Sequence, residues 1–132
     1  MQSRTENGNA QKRALVVDDD DTVVEHVSAV LRRAGFDVET AGDGLTALSM
    51  YRAGRFDAVV CDIRMPKLSG ISFLKNLRLT AQSGCRVVML SSLDDRAIAR
   101  EAIEAGAVAY LVKPATSKAI IDAVCGVDAA PS

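Results

Sequence analysis

The chain has no apolar run approaching the roughly 20 residues that a membrane-spanning helix needs. Its first residues, MQSRTENGNAQK, hold no apolar stretch, which argues against a signal peptide and predicts a disordered polar leader over residues 1–12. Neither sign of charge dominates: 16 Lys and Arg stand against 17 Asp and Glu, for a net charge of −1. That balance gives no field for gathering nucleic acid or anionic lipid, so direct contact with nucleic acid or membrane is not expected. Cys61, Cys85 and Cys125 are odd in number and far apart, with no C-x-x-C. They read as reduced, small, buried apolar residues of a cytoplasmic protein. His26 has no second ligand type at metal spacing and reads as a surface or packing residue. No G-x-G-x-x-G follows the first apolar run, which weighs against a dinucleotide-binding enzyme. No internal repeat and no second domain are visible.

What is present is an alternation. The 132 residues are 48% apolar and 25% charged, ordinary for one globular domain. Short continuous apolar runs, suited to strands buried on both faces, occur at Ala14–Val17, Asp57–Cys61 and Arg86–Leu90. A fifth strand is predicted at Val108–Val112, and the alternating Phe36–Thr40 suits a more exposed edge strand. Between them come apolar residues at helical spacing. Val23, Val24, Val27, Val30 and Leu31 mark a first helix starting near Asp21 or Thr22, with Thr22-x-x-Glu25 as a capping box and Gly35 as its stop. Leu45, Leu48, Met50 and Tyr51 mark a second, stopped near Gly54. Ile71, Phe73, Leu74 and Leu77 mark a third, broken at Ser83-Gly84. Ile98, Ala102 and Ala105 follow Asp94 as N-cap and precede Gly106; Ile120, Ile121 and Val124 follow a cap at Thr116 or Ser117. Five strands alternating with five helices imply a three-layer α/β sandwich with a parallel sheet and right-handed crossovers. The domain is expected over residues 13–126, with a loose end at 127–132.

Every chemically suggestive residue falls at a strand's C-terminal end, the ligand-binding edge of such sheets. Taken singly, each has an ordinary reading. Asp20 and Asp21 decorate a helix N-terminus. Asp62 is a turn cap, Lys113 a surface lysine, Ser91 a hydroxyl bonded to backbone, and Tyr110 a core aromatic. Asp18 and Asp19 differ, because they directly end a buried strand, where adjacent carboxylates repel unless a cation is near. The pair suits a half-built Mg²⁺ site of hard oxygen ligands. If the sheet is doubly wound, Asp62 joins them in one crevice. The formal charge is then −3, reduced to −2 by Lys113. A divalent cation and a phosphoryl group complete that arithmetic, with Asp62 as nucleophile. Lys113 would pair with Asp62, and a cis Lys113-Pro114 bond would aim it inward.

The stretches Leu15-Val16-Val17-Asp18-Asp19-Asp20, Cys61-Asp62-Ile63-Arg64-Met65-Pro66 to Gly70, Leu90-Ser91-Ser92, and Gly106-Ala107 to Tyr110-Leu111-Val112-Lys113-Pro114 closely resemble the receiver domain of two-component response regulators. The resemblance covers about residues 13 to 125. It implies a doubly wound (βα)5, flavodoxin-like fold with strand order 2-1-3-4-5. It implies that Asp62 accepts a phosphoryl group from the phosphohistidine of a sensor kinase or phosphotransfer protein. Asp18, Asp19, Asp62 and the backbone carbonyl of Arg64 are then the ligands of Mg²⁺ (or Mn²⁺). Ser91 and Tyr110 are the switch pair, and Lys113 is the active-site lysine. The fourth helix, fifth strand and fifth helix form the face that changes, for an output domain, a downstream protein or a homodimer formed on phosphorylation. The resemblance also places Arg64 and Leu93 where phosphoryl lifetime is tuned.

Such a module is not an enzyme with an external substrate. The alternative is a receiver-like interaction module that no longer switches. A phosphatase with an aspartyl intermediate is weaker, because Arg64 stands where such enzymes carry a second acid.

Overall fold

The computed structural model of the protein describes residues 11–65, 67–79, 84–92 and 94–126. Most of the predicted leader, the predicted loose end, Pro66, Ser83 and Leu93 lie outside the described residues. Strands and helices alternate along the chain: β1 (Arg13–Val17), α1 (Asp21–Arg33), β2 (Asp37–Ala41), α2 (Gly44–Ala53), β3 (Ala58–Cys61), α3 (Gly70–Leu79), β4 (Arg86–Ser91), α4 (Arg96–Glu104), β5 (Ala109–Val112) and α5 (Ser117–Cys125). The five strands form one parallel sheet in the order β2-β1-β3-β4-β5, as the resemblance implied.

The continuous apolar runs have the cause expected of them, burial on both faces. Leu15, Val17, Val59, Cys61, Val87 and Met89 share one face with α2, α3 and α4 residues such as Leu48, Phe73 and Ala102. Ala14, Val16, Ala58, Val60, Val88 and Leu90 share the other face with Val27 and Leu31 of α1 and Ile120 and Val124 of α5. Residues alternate between the two cores because successive strand side chains point to opposite faces. At the sheet's opposite edge, Arg13 pairs with Glu39 and lies 4.6 Å from the centroid of the Phe56 ring.

Several local expectations shift by one or two residues. Asp20, not Thr22 with Glu25, caps α1: its carboxylate accepts a bond from the Thr22 amide at 2.9 Å. Asp95, not Asp94, caps α4, accepting from the amides of Ala97 and Ile98. An Asp side chain one residue ahead of the first helical residue reaches exactly those otherwise unpaired amides. Thr116 caps α5 as expected. Strand β2 begins at Asp37 and β5 at Ala109, each one residue later than predicted. Leu45 is half exposed, and the buried face of α2 is Gly44, Ala47, Leu48 and Tyr51. Cys61 is buried as expected, but Cys85 is half-buried and Cys125 exposed; all three are free thiols. Among the described residues no helix is long and apolar enough to cross a membrane.

Candidate functional site

The sheet order reverses between β1 and β3, so the connections leaving these strands diverge and open a crevice. Register fixes what stands in it. Val17 pairs with Cys61, which sets Asp18 and Asp62 at the same height on neighbouring strands. Backbone bonds continue past the strand ends and hold them there. The Asp18 amide donates to the Ala41 carbonyl at 3.1 Å, that of Asp62 to Val17 at 3.0 Å, and that of Lys113 to Ser91 at 2.7 Å. Asp18, Asp62 and Ser91 are all buried, the polar exceptions at the end of an apolar sheet.

Asp18, Asp19 and Asp62 each offer a carboxylate oxygen, and these atoms lie within 4.8 Å of one another. Asp18 and Asp62 are buried and Asp19 is exposed. Such a set of hard oxygen donors, open to solvent on one side, fits a divalent cation that keeps part of its water. The ammonium of Lys113 donates to Asp18 Oδ2 at 2.7 Å and stands 3.7 Å from Asp62 Oδ2. The lysine therefore forms the ion pair with Asp62 expected from the sequence, while its shorter, hydrogen-bonded contact is to Asp18. Both carboxylates are within its reach, and the shorter approach is to the one more deeply buried. The Lys113–Pro114 peptide bond is cis.

Burial pushes the Asp62 carboxyl above its ordinary pKa of 3.8, and the neighbouring Asp18 charge adds to the rise. Lys113 and the amides of Ile63 and Arg64 oppose it. Burial alone would lower the pKa of Lys113, but the bond to Asp18 and the charges of Asp62 and Asp18 outweigh it and raise the value. Asp62 Oδ1 accepts from the Ile63 amide at 2.8 Å, and Asp18 Oδ1 from the Asp20 amide at 2.9 Å. These amide donors were not foreseen. No side-chain pattern marks them, since every residue but proline carries one.

Ser91 ends β4 opposite Val112, and Tyr110 stands opposite Met89 two residues earlier. By strand alternation Ser91, Met89 and Tyr110 share one face, with Ser91 and Tyr110 on a diagonal. Tyr110 is half-buried against the core of that face. Arg64 is exposed on the β3–α3 loop. His26 is also exposed, at the rim of an apolar groove of about 210 Å³ between α1 and α5 that includes Lys113 and Ile120. The structure thus gathers Asp18, Asp19, Asp62 and Lys113 into one cluster, sets Ser91 at the end of the next strand and leaves Tyr110 further along the sheet.

Comparison with known proteins gives one family. Residues 14–125 match the response regulator receiver domain. The DNA-binding response regulator MtrA of Mycobacterium tuberculosis is 39% identical over 111 residues, covering 84% of this chain and 48% of MtrA. The chain thus spans about half the length of the curated relatives it matches. The CheX–CheY–BeF3–Mg complex of Borrelia burgdorferi contains a chain that superposes with a TM-score of 0.85 at 29% identity, covering 92% of both chains. A Burkholderia pseudomallei response regulator with a phosphorylated aspartic acid and a calcium ion superposes with a TM-score of 0.79 at 30% identity, over 86% of this chain and 66% of that one. From its first buried strand to its last helix, the chain belongs to the receiver-domain family of two-component response regulators.

Proposed function

We propose that this receiver accepts a phosphoryl group on Asp62 from the phosphohistidine of a sensor kinase or a phosphotransfer protein. The observation that carries the reading is a buried carboxylate at the sheet's reversal point, 3.7 Å from an ammonium and grouped with two further carboxylates. Asp62 attacks phosphorus; the P–N bond to the imidazole breaks as a P–O bond to the carboxylate forms, and the imidazole nitrogen leaves with its electron pair. Asp18, Asp19, Asp62 and the Arg64 carbonyl would hold Mg²⁺ (or Mn²⁺), which when bound would neutralise charge on the oxygens around phosphorus. The Ile63 and Arg64 amides keep Asp62 oriented. Lys113 forms a charge-assisted bond to a phosphoryl oxygen.

The Ser91 hydroxyl then donates to the phosphoryl group, Tyr110 follows inward, and the face made by α4, β5 and α5 changes. That bias is worth about 1–3 kcal/mol, the usual range of coupling between sites. The module acts in the cytoplasm without turning over an external substrate. Its output is a further domain, a partner protein or a homodimer formed on phosphorylation. The CheX–CheY complex supports partner binding by a chain of this fold. MtrA is named for DNA binding, but with a net charge of −1 we assign no nucleic-acid contact to the receiver itself.

The test is incubation with a small acyl phosphate and Mg²⁺, followed by mass spectrometry. One phosphoryl group on Asp62, lost in Asp62→Asn and after chelation, is expected. An unlabelled, folded chain refutes the reading and favours a module that does not switch.

A further inference from the structure

Two glycines near the site are not explained by their backbone angles. Gly44 and Gly70 both lack the positive φ that favours glycine. Close approach explains them instead. A Cβ on Gly70 would lie 2.1 Å from the Asp62 carbonyl oxygen and 2.8 Å from the Ile63 Cα, and the Gly70 amide donates to the Ile63 carbonyl at 2.7 Å. A Cβ on Gly44, the first residue of α2, would lie 2.4 Å from the Leu68 carbonyl oxygen and 2.7 Å from the Leu68 Cβ. The β3–α3 loop is therefore drawn in at two places, once on itself and once against the start of α2.

The second contact has an electrostatic companion. Asp43, the N-cap of α2, accepts from the Thr46 amide at 2.8 Å and faces the Lys67 ammonium at 3.7 Å. The Thr46 amide bond is the main reason its pKa is lowered, and Lys67 contributes, so the carboxylate stays ionised. Lys67 has a left-handed backbone, φ 72°, uncommon for a residue with a side chain. Such a conformation persists where its surroundings over-determine it. Residues 63 and 64, whose amides bond Asp62, lie in the same loop.

We propose that Asp43 and Gly44 are positioning residues: the β2–α2 corner clamps the β3–α3 loop and thereby sets the affinity of the acidic cluster for a divalent cation. The proposal rests on the reading of Asp18, Asp19, Asp62 and the Arg64 carbonyl as metal ligands. Among the described residues no hydrogen bond or ion pair joins the corner to those carboxylates; it acts through the loop that delivers the Arg64 carbonyl and orients Asp62.

The test measures Mn²⁺ binding to the full chain from the EPR signal of free Mn²⁺, and separately the Ile63 and Arg64 amide resonances without metal. Gly44→Ala is expected to weaken Mn²⁺ binding about tenfold, the lower end for changes just outside a metal's ligands, and to displace both resonances. Gly42→Ala, with nothing within 4 Å of its Cβ, is the control and leaves both unchanged. Alanine favours a helix over glycine, so lost helix propensity cannot mimic the effect. Lys67→Gln separates the clamp from simple charge: removing a positive charge tightens Mn²⁺ through space, whereas a loosened clamp weakens it, here by about twofold. A folded Gly44→Ala chain with wild-type affinity and unmoved resonances overturns the proposal. Should Gly44→Ala fail to fold, unchanged or tightened binding in Lys67→Gln overturns it. A wild-type chain that takes up no Mn²⁺ removes the metal reading itself, and the two resonances then decide whether the corner positions the loop.

Discussion

Replacing Lys113 with methionine tests the electrostatic description of the site without asking for phosphorylation at all. Methionine keeps a flexible apolar stem to line the groove beside Val23 and Ile120, and removes only the ammonium. Asp18 loses its 2.7 Å bond and Asp62 its counter-charge at 3.7 Å. In gross terms these attractions are about 6 kcal/mol and about 4–5 kcal/mol, respectively, at an effective dielectric near 20. Breaking a fully buried pair costs about 3–5 kcal/mol, and an exposed one below about 1. The Asp18 side chain is 4% exposed and that of Lys113 19%, which places this pair between the limits and nearer the buried one. The expected loss in metal-free protein at neutral pH is about 2–3 kcal/mol. Urea slopes of about 1–3 kcal/mol per molar turn that into a midpoint lower by about 1–3 M.

Two further arms make the prediction specific. Saturating Mg²⁺ should recover part of the loss, because a ligand that binds only the folded state stabilises it and here replaces the missing positive charge. The pH arm has a definite sign. Asp62 has a folded pKa above 3.8, raised by burial and then by Asp18, and loss of Lys113 raises it further. As pH rises from 3.8, the unfolded chain releases this proton before the folded one does, so folded stability falls through the folded pKa. The variant's deficit should therefore grow from acid to neutral pH and shrink below 3.8. A deficit under about 0.5 kcal/mol at neutral pH, the scale of ordinary surface changes, or one indifferent to both Mg²⁺ and pH, refutes the reasoning.

Asp62→Asn should abolish phosphoryl incorporation and, by the same sign argument, raise the urea midpoint of the metal-free chain at neutral pH; a lower midpoint contradicts the raised pKa. Arg64→Ala, at the exposed loop position after the Asp62 site, should change the measured half-life of the phosphorylated form. An unchanged half-life both there and in Leu93→Ala removes the tuning role from these positions. Phe73→Ala empties a fully buried position between α3 and the sheet and should cost about 3–5 kcal/mol in urea unfolding. Its metal-free, metal-bound and acid deficits should agree, since no charge is touched.

The fold was legible because two simple periodicities carried it. Runs such as Ala14–Val17 and Asp57–Cys61 announced strands covered on both faces, and the helical spacing from Val23 to Leu31 announced α1. The strand order came from the family resemblance, since periodicity alone cannot say which strand lies beside which. What sequence misplaced were caps among closely spaced candidates: Thr22 with Glu25 in place of Asp20 for α1, and Asp94 in place of Asp95 for α4. Four consecutive Asp residues leave the cap of α1 open, and Asp94-Asp95 leave that of α4 open; backbone register decides both. That Lys113 lies closer to Asp18 than to Asp62, the partner expected for it, has a related cause. Asp18 and Asp62 stand at one height across paired strands, so only the folded geometry ranks them. Nothing local in Gly42-Asp43-Gly44 accounts for Gly44, because the neighbour that explains it is Leu68, remote in sequence.

Under the proposed function, the charge imbalance at the sheet edge is what gives phosphorylation something to move. Three carboxylates and one ammonium leave a formal −2, held in place by cores on both faces of β1 and β3. The single ammonium is bonded to Asp18 and lies close to Asp62. A phosphoryl group on Asp62 brings further negative oxygens that compete with Asp18 for the three N–H donors of that lysine and draw it towards Asp62. The competition is transmitted because the lysine's own amide is bonded to the Ser91 carbonyl at 2.7 Å. A shift of Lys113 thus bears on the strand end that carries the Ser91 hydroxyl, and β4 in turn pairs Met89 with Tyr110. Under that reading the path from Asp62 to Tyr110 would run through one ion pair and one stretch of ladder. A double-mutant cycle between Lys113→Met and Tyr110→Ala, read as phosphorylation-dependent partner binding, should show coupling of about 1 kcal/mol or more. Strict additivity would mean that Tyr110 responds to Asp62 by another route.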